Sequence, residues 1–352
     1  MKKIDYLIVG QGIAGSTLAH SLLQEGKSVM VVDEDKDSTS SKIAAGLCNP
    51  VVFKRLTKSW MIDKVLEYAK EYYRHQEQLL GDQYYFDLPI YKLFANEKEQ
   101  KFWLQKCNDP EMIDWLSSEI EYPFDSNLIQ YPFGAAHVQN SGYLNTENWL
   151  AGFKNYLIEK QYYLASKFNY NEVNIEEDSI SWNTYRANKV IFCEGYNTIN
   201  NPYFNWLPFK LTKGEVLTVN FENLNMQAAI NKGVFVLPHD GNYKLGATYD
   251  WDKLDEEITE EARINLLNRT EKFLSDEIVV VSQKAGIRPT VIDRRPLIGV
   301  HPDNSNLLVF NGLGTKGVML APYFANRLVE FLLHNEPLPD EVNISRFLGK
   351  DI

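Results

Sequence analysis

Near the start of the chain stands the stretch Ile4-Asp5-Tyr6-Leu7-Ile8-Val9-Gly10-Gln11-Gly12-Ile13-Ala14-Gly15, and the carboxylate of Asp33 follows after a second apolar run. This order predicts a strand, a tight glycine turn, a helix and a second strand that ends in an acid. In such a unit Gly10 permits the sharp turn, Gly12 lets the backbone approach a ligand closely, and Gly15 lets the helix pack against the strand. The stretch therefore predicts a site for the pyrophosphate and ribose of a dinucleotide.

The identity of the dinucleotide is narrowed by the residues around this turn. The first helical turn, at Ile13 and Ala14, presents free backbone N–H groups and the positive end of the helix dipole to a pyrophosphate. The carboxylate of Asp33, with Glu34 beside it, is suited to accept hydrogen bonds from ribose hydroxyls. Further acids at positions 35–37 would repel the 2′-phosphate of NADP, which leaves FAD or NAD. A glycine turn in some other α/β protein is the alternative interpretation.

Composition places the chain among globular proteins large enough for two domains. It has 352 residues, of which 44% are hydrophobic and 24% charged, a net charge of −11 and a pI near 5.2. No basic stripe interrupts this excess of acid, so affinity for nucleic acid or an anionic membrane has little electrostatic support. The cysteines, Cys48, Cys107 and Cys193, predict no disulfide framework, and the histidines show no spacing typical of a metal site. We expect a cytoplasmic protein, because neither a signal peptide nor a membrane-spanning apolar run is evident.

A second glycine-rich loop, near the other end of the chain, favours FAD over NAD as the cofactor. The run Phe310-Asn311-Gly312-Leu313-Gly314-Thr315-Lys316-Gly317-Val318 predicts a strand, a loop with three glycines and the start of a helix. Such a loop offers backbone N–H groups at a helix N-terminus. FAD has a use for them, because negative charge develops at the N1 and C2 carbonyl edge of a reduced flavin, and NAD does not. Lys316 either adds to this positive potential or lies in solvent, and the loop taken alone is equally typical of a helix C-cap.

With these features the chain resembles the D-amino-acid oxidase family of FAD enzymes, in particular the branch of glycine oxidase, sarcosine oxidase and the FAD domain of a tRNA wobble-uridine modifying enzyme. The motifs that carry the resemblance follow the family's order over almost the whole length. After the N-terminal turn they are Thr39-Ser40-Ser41 with Ala44-Ala45-Gly46-Leu47, Lys213-Gly214-Glu215, Leu245-Gly246-Ala247-Thr248, Gly286-Ile287-Arg288-Pro289 with Asp293 and Pro296-Leu297-Ile298-Gly299, and the second glycine loop. Each motif is weak alone, but six in this order are specific to the family.

The resemblance implies an α/β plus α+β protein, in which a Rossmann-type, p-hydroxybenzoate-hydroxylase-like FAD-binding domain carries an antiparallel-sheet substrate domain. We expect the FAD-binding domain to be discontinuous and to consist of residues 1–80, 142–210 and 282–352. Two insertions would form the substrate domain, residues 81–141 and 211–281. The FAD is expected to be noncovalent, because sarcosine oxidases attach it through a late cysteine and this chain has none after Cys193.

The resemblance also implies which residues contact the cofactor. Besides the two glycine turns, it assigns contacts to the loop after the second strand and to two positions in the middle of the chain. The residues expected to bind FAD are Gly10, Gly12, Ile13, Ala14, Gly15, Asp33, Glu34, Ser40, Ser41, Ala45, Gly46, Leu47, Val173, Gly195, Gly312, Gly314, Thr315, Lys316, Gly317 and Val318.

Three residues are candidates for the chemistry itself. The guanidinium of Arg288, near an expected domain junction, could bind a substrate carboxylate in bidentate fashion, as the family's arginine in this block does; an interdomain salt bridge is the alternative. The resemblance places Lys244 where sarcosine oxidases have the lysine assigned to oxygen activation, whereas a solvent-facing hairpin lysine is the other interpretation. Tyr249, like Phe235, falls at a position that lines the pocket in relatives, or else in the core.

The implied reaction is oxidation of the amine of a small amino acid or N-substituted amino acid. A hydride would pass from the substrate Cα to flavin N5, and oxygen is the expected acceptor, giving peroxide. The expected partner is therefore a small-molecule amine or amino acid, with neither membrane nor nucleic acid, and the sequence does not indicate an oligomeric state.

Alternatives to this reaction stay open. Glycine oxidases have an arginine at the position of Thr315, and the Gly-Thr-Lys-Gly form here is more similar to the tRNA-modifying branch, although the negative net charge opposes tRNA binding. Demodification of a tRNA wobble uridine side chain is therefore one alternative. A flavin dehydrogenase with another electron acceptor, a flavin-binding protein without turnover and an NAD-dependent dehydrogenase are the others.

Overall fold

The computed structural model describes residues 1–350 as a mixed α/β protein. Its helices are α1 (Ile13–Gln24), α2 (Ser40–Ile43), α3 (Ile62–Leu80), α4 (Glu97–Cys107), α5 (Thr146–Glu159), α6 (Glu260–Glu271) and α7 (Gly317–His334). Its strands are β1 (Lys2–Val9), β2 (Val29–Asp33), β3 (Leu47–Cys48), β4 (Val51–Val52), β5 (Thr57–Lys58), β6 (Tyr85–Asp87), β7 (Ile90–Leu93), β8 (Ala135–Val138), β9 (Gly142–Leu144), β10 (Tyr163–Ala165), β11 (Asn174–Ile175), β12 (Ile180–Trp182), β13 (Tyr185–Phe192), β14 (Thr212–Phe221), β15 (Ala229–Asn231), β16 (Phe235–His239), β17 (Asn242–Gly246), β18 (Ile278–Arg288), β19 (Leu297–His301) and β20 (Asn304–Asn311). Short 3-10 turns lie at Tyr170–Glu172, Gly195–Asn200 and Ile344–Phe347.

The first sheet has eight strands and contains both predicted glycine turns at one edge. Its order is β10-β2-β1-β13-β12-β11, with β20 also paired to β13 and β19 to β20. β1 lies between β2 and β13, parallel to both, and β20 is also parallel to β13. Both faces of β1 are covered: Ile8 packs in one apolar cluster, while Leu7 and Val9 pack in another. This double burial explains why the strand reads as a continuous apolar run.

Helices α1 and α7 pack together on one face of this sheet. Leu18 and Leu22 of α1 share an apolar cluster with Phe324 and Leu328 of α7, and all four side chains are fully buried. β1 leads directly into α1 and β20 directly into α7, and the two strands run in the same direction. Both helices therefore begin at the carboxyl edge of the sheet, where ligands bind in folds of this kind.

The second sheet has seven strands in the order β18-β14-β17-β16-β15-β7-β8. All its pairings are antiparallel except that of β15 with β7. The dipeptide Asp240-Gly241, typical of a two-residue hairpin turn, joins β16 to β17. Leu217, Leu245 and Phe273 form the apolar core between this sheet and α6.

We propose that each sheet is the core of one of the two expected domains. The strands of the first sheet come from residues 2–33, 163–192 and 297–311, and those of the second from residues 90–138 and 212–288. Strand β18 runs without interruption across the junction expected between residues 281 and 282. A domain boundary at the end of β18 fits this continuity better.

The apolar residues spaced along positions 168–175 predict a strand, and this prediction is wrong in its first part. Tyr170–Glu172 form a 3-10 turn, and only Asn174–Ile175 are extended. The Asn169 side chain accepts a hydrogen bond from the backbone N–H of Asn171, a local bond that competes with strand pairing. Within the described residues no helix combines the length and the apolar character that crossing a membrane requires.

Candidate functional site

A cavity of about 1830 Å³ lies along the carboxyl edge of the first sheet and reaches the second sheet. One end is lined by Asp33, after β2, and the other by Arg288, at the end of β18. The N-termini of α1 and α7 lie between them, at Gly12 and Gly317. Most of the residues expected from the sequence to bind the cofactor line this one cavity.

The two glycine-rich helix N-termini converge. A Cβ placed on Gly317 would lie 3.3 Å from Cγ2 of Ile13, so the first turns of α7 and α1 are in contact. Neither the Gly12 nor the Lys316 N-cap makes a side-chain capping bond, whereas α4, α5 and α6 are capped by Asn96, Asn145 and Thr259. Apart from the Ile13 N–H, which donates to the Ser41 hydroxyl, the N–H groups of these two first turns have no side-chain acceptor, as binding of an anionic ligand would require.

Steric requirements explain the glycines of the first turn. Gly10 has φ +104°, and a Cβ there would lie 2.5 Å from the carbonyl oxygen of Cys193. A Cβ on Gly15 would overlap the carbonyl oxygen of Gly10. Gly15 does not line the cavity; it lets α1 approach the turn, which is the packing role predicted from the sequence.

The acid after β2 is fixed by backbone donors. The Asp33 carboxylate accepts hydrogen bonds from the backbone N–H groups of Gln11 and Asp35, both at 2.7 Å. It therefore stands beside the first glycine turn, with Glu34 lining the same part of the cavity. This is where a ribose would follow a pyrophosphate held by α1.

The loop between β2 and β3 forms one side of the cavity. The Ser41 hydroxyl accepts a hydrogen bond from the Ile13 N–H at 3.1 Å, and Ser40, Ala45 and Leu47 line the wall. Gly46, with φ +72°, is required because a Cβ there would overlap the carbonyl oxygen of Leu144. The loop is thus held against the cavity by backbone contacts on both sides.

The two residues in the middle of the chain that are expected to contact FAD, Gly195 and Val173, differ in whether they line the cavity. Gly195 lines the cavity, whereas Val173 does not and packs against the apolar cluster on the far face of the first sheet. The 3-10 turn before Val173 brings Tyr170 and Glu172 to the cavity instead.

Sequence reasoning missed Glu194. Its carboxylate accepts hydrogen bonds from the Tyr170 hydroxyl and, at 2.7 Å, from the Asn201 amide, and it lines the cavity. Burial raises the pKa of Glu194 to about 7. The available signal was its position two residues after the parallel strand β13, where ligand-facing side chains collect.

Lys316 turns inward and not to solvent. Its ammonium donates a 2.8 Å hydrogen bond to the carbonyl oxygen of Asn49 and lines the cavity beside the start of α7. Burial lowers the pKa of Lys316 to about 8. In residues 1–350 it has no carboxylate partner, and Thr315 beside it is exposed. The remaining loop residues, Gly312, Gly314 and Val318, also line the cavity.

Arg288 lies at the other end of the cavity and is held without an ion pair. Its guanidinium donates to the carbonyl oxygens of Thr248, at 3.3 and 3.4 Å, and of Lys213, at 3.3 Å. It lies directly over Gly214, where any Cβ would overlap it, and 4.6 Å from the ring centre of Tyr249. Burial lowers the pKa of Arg288, and no carboxylate of the described chain pairs with it. The interdomain salt bridge is therefore absent from this structure.

The other two candidates for the chemistry, Tyr249 and Lys244, differ in their access to the cavity. Tyr249 lines the cavity and is exposed over 56% of its surface, and Phe235 lines it as well. Lys244 is buried but does not line the cavity; its ammonium reaches the carbonyl oxygen of Ala44 at 3.4 Å, from behind the β2–β3 loop. Burial lowers the pKa of Lys244 to about 8. The solvent-facing interpretation of this lysine does not hold.

Comparison with known proteins points to one family. The model of the DAO family, described as FAD dependent oxidoreductase, matches residues 5–331. The glycine oxidase of Bacillus licheniformis is 24% identical over 95% of this chain and 94% of its own length. The tRNA 5-methylaminomethyl-2-thiouridine biosynthesis bifunctional protein MnmC of Legionella pneumophila is 26% identical over 84% of this chain, which spans 46% of that protein. The crystal structure of glycine oxidase from Geobacillus kaustophilus has the same fold, with a TM-score of 0.82 at 19% identity over the full length of both chains.

Proposed function

The chain belongs to the DAO family of FAD-dependent oxidoreductases, and we propose that it oxidises the amine of a small amino acid or N-substituted amino acid. The cofactor of the family is FAD, and the cavity described above fits it. Two uncapped helix N-termini meet at its centre, glycines leave the backbone bare there, and the Asp33 carboxylate lies beside the first of them. We further propose that the FAD is noncovalent.

The observation that carries the substrate class is the unpaired guanidinium of Arg288. A cation at a cavity wall without a carboxylate partner is suited to a carboxylate that arrives with the substrate. The hydrogen bonds to Thr248 and Lys213 carbonyls orient the guanidinium, and Gly214 leaves the space that it occupies. A neutral amine without a carboxylate would leave this cation buried and uncompensated.

The protein's part in the reaction is positioning and electrostatics. Bound FAD would supply the hydride acceptor, and oxygen would be the final acceptor, with release of peroxide. Arg288 would hold the substrate carboxylate so that the Cα–H bond keeps one orientation. The positive end of α7, with the Lys316 ammonium beside it, would stabilise negative charge that develops at the centre of the cavity.

A second candidate function is demodification of a tRNA wobble uridine side chain. It is supported by the similarity to the bifunctional protein MnmC, of which the chain spans about half, and by the Gly-Thr-Lys-Gly form of the second loop. The net charge of −11 weighs against it, because contact with RNA phosphates needs positive surface.

The direct test is anaerobic reduction of the FAD-loaded protein. A panel of glycine, sarcosine, longer amino acids and N-methyl amino acids would be added without oxygen, and loss of the flavin absorbance would be followed. Bleaching by at least one amino acid is expected, followed by peroxide release when oxygen is admitted. Bleaching by none of them, with bleaching by a modified anticodon stem-loop, would transfer the assignment to the second candidate.

A further inference from the structure

Two large aromatic rings are exposed at the end of the cavity that contains Arg288. Tyr249 and Trp251 are each exposed over 56% of their surface, and both line the cavity. Their rings are nearly parallel, with an interplanar angle of 24° and ring centres 6.2 Å apart. We call this pair the aromatic platform. Exposed aromatic area at the opening of a cavity is typical of a surface that a ligand covers.

The aromatic platform is held in place by the backbone around it. The N–H and carbonyl of Asp250 pair with the carbonyl and N–H of Lys213, at 3.0 and 2.9 Å. The Asp250 carboxylate then accepts hydrogen bonds from the N–H groups of Asp252 and Lys253, at 2.8 and 3.1 Å. The backbone on both sides of Trp251 is therefore fixed by hydrogen bonds, so the ring is presented from a preformed segment.

The aromatic platform differs from other exposed apolar residues nearby because it lines the cavity. Leu254 and Ile258, on the same segment, are exposed over 42% and 56% of their surface, but neither lines the cavity. Tyr249, in contrast, lies against the guanidinium of Arg288, with 4.6 Å between its ring centre and Cζ. A molecule whose carboxylate binds Arg288 thus has the aromatic platform within reach of its remaining atoms.

We propose that the substrate carries an aromatic group, as the side chain or the N-substituent of the amino acid, which packs on Tyr249 and Trp251 while the carboxylate binds Arg288. This inference rests on the proposed function and narrows its substrate class. Packing a phenyl ring on the platform removes apolar surface of both partners from water and adds aromatic contacts, so that it strengthens binding.

The charge around the aromatic platform favours a small molecule over a nucleobase of RNA. Positions 250–257 contain five carboxylates, those of Asp250, Asp252, Asp255, Glu256 and Glu257, and one lysine. Phosphates on either side of a stacked base would face this excess of negative charge. An amino acid places its single carboxylate on Arg288 and has no further anionic group to repel.

Binding of unreactive carboxylates to the FAD-loaded protein tests the proposal without turnover. Phenylacetate and acetate would be titrated separately, and the dissociation constants read from changes in the flavin spectrum. We expect phenylacetate to bind at least tenfold more tightly than acetate. Trp251→Ala should abolish most of this difference and leave the acetate constant within twofold, whereas Trp251→Phe should retain it. Leu254→Ala, outside the cavity on the same segment, should change neither constant.

The outcomes separate this inference from the proposed function. Equal binding of the two carboxylates in the wild type, or equal weakening of both by Trp251→Ala, would overturn the aromatic assignment even if glycine or sarcosine reduces the FAD. A Trp251-dependent preference for phenylacetate would support it even if no amino acid in the panel reduced the FAD, and the proposed function alone would then fail. Tyr249→Leu provides a second variant with the same expected loss of preference.

Discussion

The two ends of the cavity are built by different means. At the nucleotide end, much of the ligand-facing surface is backbone: Gly12 and Gly317 lie at two helix N-termini that line the cavity, and Gly10 permits the turn before the first of them. At the substrate end, side chains form the surface, with Arg288 and Tyr249 brought together from strands and loops far apart in the sequence. The first end depends on local conformation, whereas the second depends on the register of a whole sheet.

This difference predicts how each end responds to mutation. A substitution at the nucleotide end acts through steric overlap with the backbone and has large, all-or-none effects. A substitution at the substrate end removes one interaction from a frame that stays in place, and its effect is graded. Substitutions at Gly15, Arg288, Lys316 and Lys244 test that contrast, with expected effects that decrease in this order.

Replacement of Gly15 by alanine should have the largest effect. The new Cβ would overlap the carbonyl oxygen of Gly10, so that α1 must move away from the turn. We expect the affinity for FAD to fall at least a hundredfold, measured by quenching of flavin fluorescence on titration of the apoprotein, with a loss of stability of about 1–3 kcal/mol.

Gly26→Ala is the matched control for this variant. Gly26 follows the same helix with φ +69°, but a Cβ there would meet no atom within 4 Å. It should cost about 1 kcal/mol of stability through its backbone conformation and leave FAD affinity unchanged. Similar FAD affinity in the two variants would contradict the steric account of the turn.

Replacement of Arg288 by alanine should have the next largest effect, confined to substrate. Loss of the guanidinium should cost about 2–5 kcal/mol in binding of a carboxylate-bearing substrate, because the cation's partner is left unpaired. Gly214→Ala should weaken binding in the same direction, since its Cβ would displace the guanidinium. Anaerobic titration with the substrate gives both values. FAD affinity should stay unchanged in both variants, and an unaltered substrate affinity would remove Arg288 from the site.

Replacement of Lys316 should change the stability of the apoprotein and its affinity for FAD in opposite directions. Burial lowers the pKa of Lys316 in the folded protein from its usual 10.5 to about 8, so the folded apoprotein holds this charge at a cost of roughly 3 kcal/mol below pH 8. The unfolded chain keeps its proton up to higher pH, so stability rises between pH 8 and 10.5 as the folded lysine loses its proton. Lys316→Met should therefore stabilise the apoprotein against urea at pH 7, by less at pH 10, and weaken FAD binding.

The loss of the hydrogen bond to Asn49 offsets part of that gain, by about 1 kcal/mol. Lys101→Met, on the exposed face of α4, is the control and should change stability little at either pH. A pH-independent difference between Lys316→Met and the wild type would contradict the buried, titrating lysine.

Replacement of Lys244 should have the smallest effect on the rate at which substrate reduces the FAD. Its ammonium lies behind the β2–β3 loop, 3.4 Å from the Ala44 carbonyl oxygen. We expect Lys244→Met to change the anaerobic reduction rate less than threefold. If the proposed oxygen role holds, the rate of reoxidation by oxygen should fall at least tenfold, because the positive charge near the cavity wall is gone. Equal changes in both half-reactions would assign the lysine to support of the loop alone.

Much of the nucleotide end could be predicted from the sequence for a physical reason. Glycines that permit a close approach, the acid after β2 and the capless start of α1 all lie within one continuous segment. Local conformation fixes their relative positions. The same holds for the second loop, and the convergence of the two followed from the parallel order of strands, in which β1 and β20 flank β13.

The positions of the other site residues depend on contacts between distant segments, which no local sequence pattern encodes. Val173 packs against the apolar cluster on the far face of the first sheet, after the 3-10 turn that the Asn169 side chain caps, and the Glu194 carboxylate accepts hydrogen bonds from Tyr170 and Asn201 beside the cavity. Whether Lys316 faced solvent or the interior could not be decided without the Asn49 carbonyl that receives it. The sequence of β17 likewise does not show that the loop containing Ala44 stands between the Lys244 ammonium and the cavity.

The convergence of two helix N-termini on one cofactor is tested most directly by titrating the purified apoprotein with FAD. The account predicts a yellow complex with one FAD for each chain, whose affinity falls both when Gly15 is replaced at the first turn and when Lys316 is replaced at the second. A protein that stays colourless and takes up no FAD, or a complex whose affinity responds at only one of the two turns, would contradict it.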